Sequence, residues 1–449
     1  MRHALFLLIS LFLIACTEEV LPKQTFVCPN SEAWLPKSDS FSQDSGYLEN
    51  SGGKLFYWLL KAKNNPETAP VVLWLNGGPG SSSLIGLFFE NGAYRLNDDL
   101  SIYESPDTWN ENANILYVDQ PVDVGFSVDI GLSAVPRDEQ QIAKEMTEAL
   151  IDFFINKHPE MRQINGKARP FYLFGESFAG TYIPWIAKTL LEHNQQTPAQ
   201  KIDLVGLGIG DGTVDVMQSW RTLPAYAQRN GLIGDVEQSR IENGLLVSCE
   251  KQVEQELSAN GASAWPHECW GILNEIKRLA ANINIYDIRH FGNYDQEILG
   301  CYLNKPNVKQ FLKIDQNINW HQSEPAIFKR LYSDDIHTTI WILREVLSKG
   351  VRVLVYNGDQ DLLVNYIGTE KWLQEFAKGS DVYKPLEGWL AKDLVDFTKA
   401  GRLVGKTKAG DNLTYVRIHD AGHLVPMDQP VLAKDMFERF ITEKSMLDD

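Results

Sequence analysis

The sequence lacks several features that would assign it quickly to a class. None of its five cysteines stands in a C-x-x-C pair, which argues against a structural zinc site. No low-complexity tract or short-period repeat is evident, which argues against a solenoid or a propeller. No basic stripe offsets the net charge of −17, which opposes binding to nucleic acid. The 449 residues suffice for one large domain with an insertion, or for two domains.

The N-terminus carries an apolar run over residues 4–15 that follows a basic residue, Arg2. The run is too short to span a bilayer comfortably and has the form of a secretory signal. It ends in Leu13-Ile14-Ala15-Cys16, which resembles the bacterial lipobox. We expect cleavage before Cys16 and lipidation of that cysteine, so that membrane contact is only through the lipid. An ordinary signal peptide with a chance cysteine is the alternative.

The remaining four cysteines are an even number in an oxidising compartment. Cys249 and Cys269 are the natural local pair, which would leave Cys28 with Cys301, although the sequence does not establish this connectivity. The expected location is the periplasm or the outer membrane, because Thr17 after the lipidated cysteine is not an Asp-type retention signal for the inner membrane.

Short apolar runs alternate with helical patterns along much of the chain. This alternation predicts an α/β fold with a mostly parallel sheet that is covered by helices on both faces. The strand-like runs are Leu55–Leu60, Pro70–Leu75, Ile115–Val118, Phe171–Phe174, Val205–Ile209, Val351–Tyr356 and Leu413–Ile418. The helical patterns are Asp138–Phe154, Thr181–Glu192 and Thr339–Leu347.

The alternation fails near the middle of the chain, where a polar and helical stretch predicts a cap over the carboxyl edge of the sheet. The expected organisation is a signal peptide at 1–15, a lipidated tether at 16–40, a first core segment at 41–213, a helical cap insertion at 214–336, and a second core segment at 337–449.

The stretch Gly175-Glu176-Ser177-Phe178-Ala179-Gly180 follows a predicted strand and precedes a predicted helix. This is the setting of the nucleophile elbow of the α/β-hydrolase fold, in which a sharp turn exposes the serine hydroxyl above the sheet. A serine becomes nucleophilic when a base takes its proton and a carboxylate orients that base. The string alone is weak evidence, but its context makes Ser177 the candidate nucleophile.

The candidate base and acid follow in the order that such hydrolases show, Ser then Asp then His. Asp361 follows one predicted strand in Gly358-Asp359-Gln360-Asp361, and His423 follows another in Ala421-Gly422-His423. We interpret Asp359 as a solvated turn residue and His419 as a surface or packing histidine.

The glycine-rich stretch Asn76-Gly77-Gly78-Pro79-Gly80-Ser81-Ser82-Ser83 follows the predicted strand that ends at Leu75. Its position is the one from which a hydrolase donates an N–H group to the oxyanion, so a simple Gly/Pro turn is the weaker interpretation.

These blocks together resemble the serine carboxypeptidase family, whose members include vacuolar and lysosomal carboxypeptidases. Matching blocks run from about residue 40 to residue 430. They include Trp74–Ser83, Gly175–Gly180, Gly358–Asp361 and Ala421–Pro426, together with Asp119-Gln120-Pro121, Val124–Ser127 and Tyr302–Pro306.

The resemblance implies a role for each site residue. Ser177 would be the nucleophile, His423 the base and Asp361 its orienting acid. The N–H groups of Gly78 and Phe178 would form the oxyanion hole. Asn76, Glu176 and the N–H of Gly77 would hold the terminal carboxylate of a peptide, and Glu90 would pair with Glu176.

The acid at 176 has a physical rationale of its own. An ionised glutamate repels a substrate carboxylate, whereas a protonated one donates a hydrogen bond to it. Burial and the neighbouring Glu90 would raise the pKa of Glu176. We therefore expect release of C-terminal amino acids from peptides with an acidic optimum. A structural acid that caps the elbow is the alternative for Glu176.

The sequence departs from the family pattern at two places. The family usually has Cys where this chain has Ser81, bridged to a cysteine near Cys301, so that Cys301 must pair elsewhere or stay free. The stretch Gly210-Asp211-Gly212 usually has Asn in its middle. We expect neither change to remove catalysis.

An esterase or acyltransferase on the same fold is an alternative function, and a non-catalytic binding protein is a more distant one. The set Asn76, Glu176 and Glu90 favours peptides with a free C-terminus, and the intact triad argues against a binding protein. No cofactor or metal is implied, and the oligomeric state is not indicated. Ile85, Phe89, Phe178 and Trp320 are plausible apolar pocket walls, which hints at bulky apolar substrates.

Overall fold

The computed structural model describes residues 26–36, 40–129, 136–258, 267–331 and 336–447. The predicted signal peptide and Cys16 lie outside these residues, and their assignment stays a prediction. In the part of the chain that is described, no helix is both long enough and apolar enough to cross a membrane.

The strands of the described residues carry the apolar runs that the sequence predicts. They are β1 (Gln43–Glu49), β2 (Gly53–Leu60), β3 (Val71–Leu75), β4 (Tyr94–Leu96), β5 (Ile102–Glu104), β6 (Asn114–Val118), β7 (Val128–Asp129), β8 (Gln163–Ile164), β9 (Lys167–Ala168), β10 (Phe171–Glu176), β11 (Leu204–Gly210), β12 (Arg352–Gly358), β13 (Val395–Lys399), β14 (Arg402–Gly410) and β15 (Leu413–Ile418).

The main sheet has the order β1-β2-β6-β3-β10-β11-β12-β15-β14-β13 in the described residues, with β7 paired to β2. Its centre, from β6 to β15, is parallel, and its outer strands are antiparallel. Because the central strands are parallel, their carboxyl ends meet at one edge. Ser177, Asp211, Asp361 and His423 follow four of these strands at that edge.

The α-helices within the described residues are α1 (Glu139–Ile151), α2 (Ala179–Gln196), α3 (Val216–Arg229), α4 (Asp235–Ile241), α5 (Val247–Ser258), α6 (His267–Leu279), α7 (Glu297–Leu303), α8 (Pro306–Phe311), α9 (Pro325–Leu331), α10 (Ile340–Ser348), α11 (Tyr366–Lys378), α12 (Glu387–Leu390), α13 (Val425–Asp428) and α14 (Pro430–Ile441). Short π-helical and 3-10 segments stand beside them, among them a π-helical turn at Gly86–Glu90. All three predicted helices are present, as α1, α2 and α10.

Both faces of the central sheet are buried, as the continuous apolar runs predict. In β3 the side chains of Val71, Leu73 and Leu75 pack into the core layer that contains α1 and α2. The alternate side chains of Val72 and Trp74 pack into a second layer on the opposite face, together with α14. This period of two is that of a strand with a core on each side.

The described residues between β11 and β12 form helices joined by loops and contain no strand, which agrees with the predicted helical cap, although the boundaries 214–336 stay a prediction. Helices α3 to α6 form a third apolar cluster around Trp220 and Ile272. Helices α7 and α8 belong instead to the core layer with Phe88, whose ring lies 5.3 Å from that of Tyr302. The stretch is thus part cap and part core.

Two disulfides join the pairs that the sequence analysis favours. Cys249 in α5 bonds Cys269 in α6, within the cap. Cys28 bonds Cys301 in α7. Ser81 cannot take part in such a bond, and its loop is held by backbone hydrogen bonds instead, from Ser82 N to Gln322 O at 2.9 Å and from Glu324 N to Gly80 O at 3.0 Å.

Candidate active site

Ser177 stands on a strained turn between β10 and α2. Its φ of +60° lies in the left-handed region, which residues with a side chain adopt rarely. Three backbone hydrogen bonds hold the turn. Ser177 N donates to Gly210 O at 3.0 Å, and Ser177 O accepts from Gly180 N at 2.9 Å and from Thr213 N at 3.0 Å. Ser177 therefore faces the cavity at the sheet edge, as the elbow pattern predicts.

His423 and Asp361 form a buried pair beside this turn. His423 Nδ1 lies 2.7 Å from Asp361 Oδ2, and the two side chains are 3% and 0% exposed. Asp361 Oδ1 accepts a hydrogen bond from Leu363 N at 2.9 Å. His423 Nε2, on the other side of the ring, has no hydrogen-bond partner among the described residues. Since Ser177 and His423 line the same cavity, the imidazole is oriented to accept a proton there.

The glycine-rich loop after β3 lies against the elbow. A Cβ at Gly77 would stand 2.4 Å from Phe178 N and 2.8 Å from Ser177 Cβ, so only glycine allows this approach. Gly78 has a φ of +111°, a conformation that is costly for any residue with a side chain. The structure thereby brings the loop to within contact of Ser177, which is the arrangement that an oxyanion hole requires.

The buried carboxylate of Asp119 anchors this loop through hydrogen bonds, and the sequence did not predict this role. The Asp119 carboxylate accepts hydrogen bonds from Ser82 Oγ at 2.5 Å, Ser83 N at 3.1 Å and Phe126 N at 2.9 Å. Burial raises the pKa of Asp119 to about 7, although these donors act in the opposite direction. The sequence signals this residue only through the block Asp119-Gln120-Pro121, which resembles the family but implies no role for Asp119.

Asn76 joins the two glutamates that the sequence analysis selected. Its Nδ2 donates to Glu90 Oε1 at 3.0 Å and to Glu176 Oε1 at 2.9 Å. Its Oδ1 accepts from Trp74 Nε1 at 2.9 Å and from Gly86 N at 3.0 Å, which fixes the orientation of the amide. Glu90 is the last residue of the π-helical turn Gly86–Glu90 and does not line the cavity, whereas Glu176 does.

Both glutamates are buried and favour the neutral form. Glu90 is 0% exposed and Glu176 is 3% exposed, and the second carboxyl oxygen of each lacks a hydrogen-bond partner among the described residues. Burial raises the pKa of Glu176 well above its ordinary value, and the negative charge of Glu90 raises it further. Burial also raises the pKa of Glu90.

Asp211, at the carboxyl end of β11, lies close to the His423–Asp361 pair. Carboxylate oxygens of Asp211 and Asp361 and a ring nitrogen of His423 all lie within 4.8 Å of one another. The 2.7 Å separation of Nδ1 and Oδ2 is that of a hydrogen bond and leaves no room for a metal ion between them. Burial raises the pKa of Asp211 well above its ordinary value, with a further contribution from Asp361.

The site opens into a cavity of about 450 Å³ whose outer wall comes from the cap. Asn76, Gly77, Gly78, Glu176, Ser177, Phe178 and His423 line its floor, and Glu90 and Asp361 lie behind them. The outer wall is largely aromatic and aliphatic, with Val216, Trp220, Trp270, Tyr286, Tyr294 and Phe328. The local sequence of the cap does not predict which of its side chains line the cavity, because only the tertiary fold brings them to the site.

Two expectations about neighbouring residues are wrong. Phe89 and Trp320 pack with the core layer that contains α7, and Trp320 Nε1 donates to Ser82 Oγ at 3.0 Å, so neither lines the cavity as Ile85 and Phe178 do. Asp359 is half-buried rather than solvated, because Asp359 Oδ2 lies 2.6 Å from His419 Nδ1.

Comparison with known proteins agrees with this geometry. The family model described as "Serine carboxypeptidase" matches residues 35–443. Serine carboxypeptidase-like 49 of Arabidopsis thaliana is 30% identical over 438 residues, which cover 95% of this chain and 82% of that protein. Carboxypeptidase Y of Komagataella phaffii is 30% identical over 434 residues, which cover 90% of this chain and 77% of that protein.

A solved structure supports the fold. The crystal structure of Kex1(delta)p, a prohormone-processing carboxypeptidase from Saccharomyces cerevisiae, is similar with a TM-score of 0.75 at 24% identity. The match covers 90% of this chain and 91% of that one, so that the shared fold includes both the sheet and the helices around it.

Proposed function

The chain belongs to the serine carboxypeptidase family, and from this premise we propose that Ser177, His423 and Asp361 release C-terminal amino acids from peptides through an acyl-enzyme at Ser177, most efficiently at acidic pH. The observation that carries the proposal is the hydrogen-bonded set of Asn76, Glu90 and Glu176, of which Asn76 and Glu176 line one cavity with Ser177. A simple ester hydrolase has no need of such a set.

The terminal carboxylate of the peptide binds at Glu176. Protonated Glu176 donates a hydrogen bond to it, and Gly77 N–H donates a second. Both hydrogens of Asn76 Nδ2 are engaged with the two glutamates, so Asn76 contacts the substrate carboxylate only by exchanging one of these bonds. Its main role without substrate is therefore to hold Glu176 in place.

Acylation begins when His423 Nε2 takes the proton of the Ser177 hydroxyl as the oxygen attacks the scissile carbonyl. Asp361 holds Nδ1 and stabilises the imidazolium that forms. The N–H groups of Gly78 and Phe178 stabilise the oxyanion of the tetrahedral intermediate. The C–N bond then breaks, His423 gives its proton to the leaving amine, and a free amino acid departs.

Deacylation repeats the sequence with water. His423 accepts a proton from the attacking water, the ester bond to Ser177 breaks, and the serine oxygen regains a proton from the imidazolium. The chain's own residues suffice for both steps, because acyl transfer to water needs a base, an oxyanion site and an oriented nucleophile.

The pH optimum follows from the protonation state of Glu176. The neutral acid binds a carboxylate, whereas the ionised acid repels it. As the pH rises through the raised pKa of Glu176, the affinity for peptides with a free C-terminus falls. The aromatic and aliphatic outer wall further favours peptides with bulky apolar residues near the scissile bond.

An N-blocked dipeptide that ends in Phe-Leu tests the proposal at pH 5 and pH 7.5, with a soluble form that starts at Thr17. We expect release of free leucine, faster at pH 5, and a loss of about 10⁴-fold or more in Ser177→Ala. Hydrolysis of simple esters without release of leucine would point instead to an esterase or acyltransferase.

The proposed location is the periplasmic side of a bacterial membrane, preferably the outer membrane, with a lipid on Cys16. The apolar run that ends at this cysteine supports it. Fractionation of a bacterial host that expresses the full chain tests it. We expect the wild type with the membranes and Cys16→Ser in another fraction, whereas equal distributions would refute the anchor.

A further inference from the structure

Asp211 is a buried acid for which the reaction described above has no use. It follows β11 directly, has no exposed surface, and adopts a φ of +42°. Asp211 N donates to Tyr356 O at 2.8 Å, which fixes the backbone of the residue. An acid held so firmly beside Asp361 either repels that carboxylate or shares a proton with it.

The two oxygens of Asp211 have different surroundings. Oδ1 accepts hydrogen bonds from Asn357 Nδ2 and from Gly358 N, both at 3.1 Å. Oδ2 makes a longer contact of 3.4 Å with the same Gly358 N. Oδ1 is therefore an acceptor, and Oδ2 is the oxygen that is able to carry a proton.

Asp361 is an acceptor at both of its oxygens. Oδ2 pairs with His423 Nδ1 at 2.7 Å, and Oδ1 accepts from Leu363 N at 2.9 Å. One carboxyl oxygen of Asp211 lies within 4.8 Å of one of Asp361 in a buried site, where two neighbouring negative charges are costly, so we expect one of the two groups to be neutral. The partners of Asp361 require a carboxylate there, which leaves the proton on Asp211.

We propose that Asp211 is a positioning residue, whose neutral carboxyl group donates a hydrogen bond from Oδ2 to the Asp361 carboxylate and thereby holds that carboxylate against His423. This rests on the proposed roles of Ser177, His423 and Asp361. The raised pKa of Asp211 agrees with a neutral acid, since burial and Asp361 are its main causes.

None of the other titratable groups described around Asp211 would stabilise it in the ionised form. His423 is engaged with Asp361 through Nδ1. If Asp211 were ionised, its negative charge would raise the pKa of Glu176, Tyr356 and Tyr415, as an anion does to a nearby acid. These three groups are themselves buried and favour the neutral form, so none supplies a cation that would stabilise ionised Asp211.

A neutral fluorophosphonate probe tests the proposal without using the carboxylate-binding groups. Ser177 Oγ attacks phosphorus, fluoride leaves, and the hydroxyl proton goes to His423, so the rate constant of inactivation reports on the triad and the oxyanion hole but not on the carboxylate-binding groups. This rate constant rises with pH as His423 loses its proton. For each variant, the profile gives the pH at its midpoint and the rate constant at its plateau.

Asp211→Asn keeps an acceptor at Oδ1 and places an N–H donor where Oδ2 stands. We expect a midpoint within about 0.3 pH unit of the wild type and a plateau within about threefold, because neither charge nor donor is lost. Asp211→Ala removes the donor, and we expect an unchanged midpoint with a plateau lower by about tenfold or more. Asp359→Asn removes the charge of another acid, on the turn after β12 that also carries Asp361, and we expect it to leave both the midpoint and the plateau unchanged.

Two results would overturn the positioning role. A midpoint that falls by about one unit or more in Asp211→Asn would mean that Asp211 is ionised and acts through its charge. A wild-type plateau in folded Asp211→Ala would mean that the acid is only structural. If Asp211→Ala does not fold, the midpoint of Asp211→Asn decides alone. A wild type that is not labelled would refute the triad itself, which is a different failure.

Discussion

The carboxyl groups of Glu90 and Glu176 accept hydrogen bonds from the same nitrogen, Asn76 Nδ2, at 3.0 and 2.9 Å. Two buried acids are thus held side by side by one amide, and only Glu176 reaches the cavity. Since two neighbouring carboxylates in a buried site do not both ionise readily, the arrangement keeps a proton available where a peptide's terminal carboxylate binds.

Glu176→Gln is expected to remove the pH dependence of peptide binding. The amide donates a hydrogen bond at every pH, whereas the wild-type acid stops donating when it ionises. KM for a peptide with a free C-terminus should therefore rise with pH in the wild type and stay nearly flat in the variant between pH 4.5 and 8. The same peptide with a C-terminal amide serves as the control, because it carries no charge for Glu176 to repel. A flat wild-type KM would contradict the role of Glu176.

Glu90→Gln is expected to move the rise in KM to lower pH. Because the pKa of Glu90 is raised less than that of Glu176, Glu90 ionises first as the pH rises, and its negative charge then raises the pKa of Glu176. Removing that charge lowers the pKa of Glu176 and lets Glu176 ionise earlier. The measurement is KM for the free-acid peptide at closely spaced pH values. An unchanged midpoint would show that burial alone keeps Glu176 neutral, and a shift to higher pH would contradict the coupling.

Trp220→Ala is expected to change substrate preference more than the rate itself. Trp220 lines the cavity and packs edge-on against Trp270, with ring centroids 5.4 Å apart. We expect kcat/KM to fall by about tenfold for a peptide with a bulky apolar residue before the scissile bond, and by much less for one with alanine there. Trp341→Ala, whose side chain is 46% exposed and absent from the cavity wall, is the control. Equal losses on both peptides would argue against a contact with the substrate side chain.

Much of the catalytic floor was predictable because its signals are local. Ser177 lies in a six-residue string between a strand and a helix, and Asp361 and His423 each follow a run of apolar residues. The parallel arrangement of these runs then brings the three side chains to one edge of the sheet. The Cys249–Cys269 pair was predictable for a similar reason, since its members are close in sequence.

The rest depends on contacts between distant segments. Trp220 and Tyr286 reach the cavity only because the cap folds over the sheet, and nothing in their local pattern distinguishes them from core residues. Trp320 was wrongly assigned to the cavity because its apolar character fits a core equally well. The proximity of Asp211 to Asp361 was also not predicted. The two residues follow adjacent parallel strands, but the local sequence does not reveal the order of strands in the sheet.

The stability of the fold is expected to fall as the pH rises from 5 to 8. Glu90, Glu176 and Asp211 have raised pKa values when folded and ordinary values of 4.5 and 3.8 when unfolded. Above these ordinary values, the folded state binds more protons than the unfolded state. The free energy of unfolding then decreases by about 1.4 kcal/mol per pH unit for each such group, until the pH reaches its folded pKa.

Acids with lowered pKa values affect the free energy of unfolding in a different, more acidic pH range. Glu275, whose hydrogen bonds to Arg278 and Arg240 lower its pKa to about 2, contributes stability that is lost only as the pH falls below its ordinary value of 4.5. Between pH 5 and 8 the raised groups therefore set the trend. We expect a higher melting temperature at pH 5 than at pH 8, and a smaller difference in Asp211→Asn, which does not titrate. A melting temperature that rises with pH in the wild type would mean that these acids are ionised in the folded protein.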